Sequence, residues 1–133
     1  MQKIEHIGIA VASLEQSIQK YELLLGVSCY KVEEVASEAV KTAFFMVGDT
    51  KIELLEGTTE ESVISKYVLS KGEGIHHIAY GVVDIIAEMI RLKNEGFRVL
   101  NEEPKAGADN KWVCFVHPKD VNGVLIELCQ TKK

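Results

Sequence analysis

The chain carries one pattern twice. His6 heads the run HIGIAV and His77 heads HIAYGV 71 positions later; Gly26 and Gly96 stand 70 apart, and Glu53 and Glu127, each between Ile and Leu, stand 74 apart. Self-similarity at a nearly constant offset is the mark of a duplicated structural module. Both copies must then share one element order, and a side chain that does chemistry in one copy has a counterpart in the other.

Within the first copy, KIEHIGIAVA reads as a strand, SLEQSIQKYELLLG as a helix, and VSCYKVEEV, AVKTAFFMV and KIELLE as three further strands. The helix is punctuated at both ends. Ser13 with Gln16 three residues on fits a capping box, Leu14, Ile18, Tyr21 and Leu25 keep helical spacing, and Gly26 supplies a left-handed stop. Gly48 and Asp49 predict a hairpin turn. The second copy gives strand GIHHIAYGVV, helix DIIAEMIRLKNEG capped by Asp84 and ended by Gly96, strand FRVLNEE, a loop around Pro104 and Gly107, and strands KWVCFVH and GVLIELCQ. The expected architecture is α+β: two tandem βαβββ modules, about 3–56 and about 75–130, with strands in a curled mixed sheet within a single domain of 1–133. The connector of about 57–74 holds a short amphipathic helix from Ser62 to Leu69.

Side chains alternate across a strand, so His6 shares its face with Gly8 and Ala10, and His77 shares its face with Ala79 and Gly81. Each imidazole looks onto a surface kept clear, where ordinary core packing would favour larger side chains. Glu53 and Glu127 sit in apolar last strands, where a carboxylate needs a cation, donors or a proton to compensate its burial. If first and last strands of each copy are neighbours, a pseudo-twofold axis gathers these side chains as His2Glu2. Two imidazoles and two carboxylates form a borderline-hard donor set, suited to a divalent ion with water positions left open. His76 and His117 break the symmetry and read as structural, His76 facing away and His117 at a strand end or on the substrate side.

On these residues the chain resembles the vicinal oxygen chelate superfamily, the glyoxalase-like fold that includes glyoxalase I, extradiol dioxygenases and the methylmalonyl-CoA epimerases. The likeness to the epimerases is the closest and rests on EHIGIAV, GDTKIELLE, GEGIHHIAYGV, NEEPKAGADNKWVCFVHPKD and GVLIELCQ. The resemblance implies interconversion of (R)- and (S)-methylmalonyl-CoA by proton abstraction and return through a metal-stabilised enolate. It makes His6, Glu53, His77 and Glu127 the ligands of one divalent ion: cobalt, nickel, manganese or zinc. It also implies that Glu38, in ASEAVKTAF, is a catalytic base matching the family segment PEQGVK, with Ser37 and Ala39-Val40 in place of the family's flanking residues. Glu127 is the candidate for the opposite face of the substrate, and a water on the metal is the alternative. Lys119 in HPKD, with Lys105 and Lys111 behind it, is the candidate for holding the acyl-CoA. Relatives of this kind also imply a homodimer.

Composition limits the partners. A net charge of -5 opposes attraction to nucleic acid or an anionic membrane surface. No apolar run approaches the roughly 20 residues that span a bilayer, and MQKIEHIGIAV lacks the plan of a signal peptide, so the expected location is the cytoplasm. Cys29, Cys114 and Cys129 are odd in number and unpaired in spacing, which reads as small buried hydrophobes. Two rival functions remain: a glyoxalase I-type lactoylglutathione lyase, and a metal-free module that sequesters a small molecule.

Overall fold

The computed structural model describes residues 1–133. Along the chain run β1 (Lys3–Ala10), α1 (Leu14–Leu25), β2 (Lys31–Val35), β3 (Val40–Val47), β4 (Thr50–Gly57), α2 (Val63–Lys71), β5 (Gly74–Gly81), α3 (Ile85–Asn94), β6 (Lys105–Gly107), β7 (Lys111–Val116) and β8 (Ile126–Thr131). Two short 3-10 turns, Ala36–Glu38 and Pro118–Asp120, precede β3 and β8. The α+β class and both βαβββ modules are therefore present. The compact units cut the chain differently from the sequence repeat: one is Ile7–His76, the other Met1–His6 together with His77–Lys133.

In the Ile7–His76 unit the strand order is β2-β3-β4-β1. β2 and β4 both run antiparallel to β3, and just past β1 the Val11 N–H donates to the Leu55 carbonyl at 2.8 Å. Alternation along β3 sends Ala43 and Phe45 one way, into a core with Leu54, where Leu14, Ile18, Tyr21 and Leu25 of α1 cover them. The helix forms as its punctuation predicts: Ser13 accepts from the Gln16 N–H at 3.3 Å, and Gly26 ends it at φ 70°. The connector helix α2 starts at its Ser62 cap and lays Ile64 against Ala10, Val40 and Leu55.

In the other unit the order is β1-β5-β8-β7-β6. β5 and β8 are parallel, with Ala79 opposite Glu127, while β7 is antiparallel to both β8 and β6. Ile85, Met89 and Leu92 of α3 pack on Cys114, Val116, Ile126 and Leu128. Asp84 caps α3 through the Ala87 N–H at 3.0 Å. Each fully buried aliphatic side chain in such a layer contributes about 1.5–3 kcal/mol.

FRVLNEE is not a strand, and β6 forms where a loop is expected. Val99 makes only an isolated bridge to Val116. Leu100 donates to the Phe115 carbonyl at 2.8 Å, but the Asn101 side chain takes the Phe115 N–H at 2.9 Å. A side-chain amide thus occupies the ladder position that a backbone carbonyl would fill, and Pro104 has no N–H to resume it. Pairing with β7 restarts only at Lys105. β2 is likewise shorter than VSCYKVEEV suggests, beginning at Lys31.

Candidate metal centre

His6 on β1, His77 on β5 and Glu127 on β8 meet inside the Met1–His6/His77–Lys133 unit. All three are buried, as is Glu53 on β4 in the other unit. The two imidazole Nε2 atoms lie 3.0 Å apart. Glu127 Oε2 lies 3.3 Å from Nε2 of His6, and its Oε1 3.5 Å from Nε2 of His77. The rings stand edge to face at 5.1 Å between centroids. Ala79 and Gly81 are buried on β5 beside His77, and the atoms nearest a Cβ on Gly81 would be those of the Lys3 and Glu5 side chains on β1.

Burial dominates the electrostatics. It pushes the Glu127 carboxyl up to about 7; His6 opposes the rise, Glu5 adds to it and Lys105 opposes it. A carboxylate this far out of water, with two imidazole nitrogens aimed at the same place, is a donor set whose burial a cation would compensate. Two nitrogens each about 2.1 Å from one ion and at right angles would be about 3 Å apart, which matches the spacing of the histidines. His6, His77 and Glu127 therefore fit a divalent ion, and their nitrogen and oxygen donors suit a borderline metal.

The other residues singled out in the sequence fall elsewhere. Glu38 closes the first 3-10 turn and is exposed. The next residue, Ala39, has φ 51°, the left-handed region that favours glycine. This places Ala39 on the glycine of PEQGVK and Val40-Lys41 on its last two residues, so that Ser37 takes the place of the family's Glu and Glu38 that of its Gln. Lys119 is exposed on the second 3-10 turn, whose N-cap is His117; His117 Nδ1 accepts the Lys119 N–H at 3.0 Å. His117 is thus a strand-end residue, and His76 stacks edge to face on Tyr67 at 4.9 Å, with burial lowering its pKa. The cysteines are free; burial drives the Cys114 thiol up to about 11, far from a reactive range.

Three further side chains stand at the site. Glu5 is buried and its Oε1 lies 2.7 Å from Nδ1 of His6. Phe115 stands opposite Glu127 across β7 and β8 and meets the His77 ring edge to face at 6.3 Å. Lys105 Nζ lies 5.6 Å from the centre of the Phe115 ring. The Ile7–His76 unit has the same trio: Phe44 opposite Glu53, with Lys31 Nζ 5.3 Å from the ring centre. Comparing the copies for aromatic residues as well as for His and Glu would have found the phenylalanines.

Known proteins resemble the chain in sequence and fold. The sequence profile of the Glyoxalase/Bleomycin resistance protein/Dioxygenase superfamily matches residues 5–115. An ethylmalonyl-CoA/methylmalonyl-CoA epimerase of Cereibacter sphaeroides is 42% identical over 130 residues, covering 96% of this chain and 97% of that one. Among solved structures, a hypothetical protein from Bacillus halodurans superposes with a TM-score of 0.95 at 43% identity, covering 98% of this chain and 95% of that one. A variant of Streptomyces coelicolor methylmalonyl-CoA epimerase, in complex with 2-nitronate-propionyl-CoA, gives 0.93 at 34% identity, covering 100% and 99%. A probable lactoylglutathione lyase of Vibrio cholerae is 30% identical, covering 98% of this chain and 92% of that one. By sequence along nearly its whole length and by fold, the chain belongs to the glyoxalase/bleomycin resistance protein/dioxygenase superfamily.

Proposed function

We propose that this protein is a methylmalonyl-CoA epimerase, interconverting the (R) and (S) forms by taking a proton from the carbon between thioester and carboxylate and returning one to the opposite face. The observation that carries this reading is the buried triangle of His6, His77 and Glu127 in a chain whose full-length similarity to epimerases exceeds that to lactoylglutathione lyases. A divalent ion held there supplies Lewis-acid stabilisation of the negative charge that develops on the thioester oxygen, worth several kcal/mol. His6, His77 and Glu127 hold it. Cobalt, nickel, manganese and zinc all suit this set.

Two proton-handling groups are needed, because one alone returns the proton to the face it left. Glu127 serves one face as a carboxylate that accepts and returns the proton. Glu38 is the candidate for the other, one residue beyond the position the family segment indicates. Lys119 reaches for the coenzyme's phosphates from the exposed turn before β8. No helix is long and apolar enough to cross a membrane, and we place the protein in the cytoplasm. Its copies pair as a homodimer through an apolar surface that includes Leu23 and Leu24 of α1, both exposed.

The test is a single epimer of methylmalonyl-CoA given to the metal-loaded protein and followed with a coupling enzyme specific for the other epimer. Complete consumption is expected. A substrate pool that stays unreacted, together with turnover of the methylglyoxal-glutathione hemithioacetal, would move the assignment to the lyase.

A further inference from the structure

The residue before His6 is buried, charged and without a counterpart in the repeat, since His76 occupies the equivalent place before His77. Glu5 Oε1 is 2.7 Å from His6 Nδ1, and its other oxygen, Oε2, is 3.8 Å from Lys111 Nζ. That lysine side chain, only 14% exposed, also donates through Nζ to Thr131 Oγ1 at 2.7 Å. An ionised carboxylate can only accept hydrogen bonds. With Lys111 beside Oε2, the ring proton of His6 belongs on Nδ1, donated to Oε1, and the lone pair belongs on Nε2, the atom that faces His77 and Glu127. We propose that Glu5 is a positioning residue: it selects the His6 tautomer and ring orientation that present Nε2 as a metal ligand, with Lys111 as its counter-ion.

Glu5, His6 and Cys129 also offer ligand atoms within 4.8 Å of one another, but they do not make a second metal site. The Lys111 cation stands against the same carboxylate, and Cys129 Sγ is turned to the Tyr80 carbonyl at 3.6 Å. Carboxylates that orient a metal-bound histidine typically change metal affinity by about 10–100-fold when removed. The inference rests on the reading of His6 as a ligand, so its test needs an observable that does not depend on metal.

That observable is the tautomer of His6, read from long-range proton–nitrogen correlations of the chelator-treated full chain labelled with nitrogen-15 in histidine. The proton is expected on Nδ1 in the wild type. In Glu5→Ala the Nε2–H form should gain population, and calorimetric titration with cobalt(II) should show affinity lower by about 10–100-fold. Glu5→Gln, which keeps an acceptor without the charge, should lie between the two and guards against a misfolded Ala variant. A wild-type proton on Nε2, or cobalt affinity in Glu5→Ala within about twofold of wild type while His6→Ala abolishes binding, overturns the proposal and leaves the ligand assignment standing. If cobalt does not bind the wild type at all, the ligand assignment falls and the tautomer result alone decides whether Glu5 orients the ring.

Discussion

Asp120, in the turn that leads to β8, accepts from Arg98 three times: from the backbone N–H and Nε at Oδ2, at 2.8 and 3.0 Å, and from Nη2 at Oδ1, at 2.8 Å. The side-chain hydrogen bonds from Arg98, before any other cause, hold its carboxyl down to about 2. A carboxyl with a lowered folded pKa adds stability that is fully present above its unfolded pKa and is lost as pH falls through the folded one. Asp120→Asn should therefore lower the melting temperature at neutral pH, and the gap from wild type should close as pH falls from about 4 to about 2. A gap independent of pH in scanning calorimetry would show that the contact is not ionic. At this same scale the repeat makes His6, His77 and Glu127 legible as one cluster of donors, because each is improbable alone and belongs to a doubled pattern. Glu5 is not legible: its strand neighbour pattern is ordinary, and its role exists only once β1 lies beside β5 and Lys111 comes up from β7.

Among the elements, β4 and α2 are joined by a close approach that only glycine permits. A Cβ on Gly57 would overlap the hydroxyls of Ser62 and Ser65, which cap α2 through the Ser65 N–H to Ser62 Oγ at 3.0 Å. Gly57→Ala should thus cost about 1–3 kcal/mol, the sum of a displaced cap and local overpacking, read as a lower urea midpoint. An unchanged midpoint would mean the turn shifts freely. The helices were readable because their caps and stops are local chemistry, acting within a few residues of Ser13, Ser62 and Asp84. β6 was not, because its place is set by Asn101 and Pro104 interrupting a ladder with β7, a partner that the local sequence does not name.

At the scale of the whole molecule, the repeat in the sequence and the compact units in the structure differ in one consequential way. Met1–His6 packs with His77–Lys133, so the histidine of the first copy joins the histidine and carboxylate of the second. The repeat predicts which side chains matter; the path of β1 decides that His6 meets His77 and Glu127. A proton-transfer enzyme built this way must exchange the hydrogen it moves with solvent, because each turnover leaves a proton on a side chain between removal and return. The decisive measurement is incubation of the metal-loaded protein with methylmalonyl-CoA in deuterated water, read by proton magnetic resonance and mass. Deuterium is expected at the carbon bearing the methyl group, with the label lost in His77→Ala and inversion strongly slowed in Glu38→Gln. Full-rate inversion by Glu38→Gln would remove that residue alone from the mechanism. A metal-loaded wild type that leaves methylmalonyl-CoA unlabelled would contradict the epimerase assignment itself.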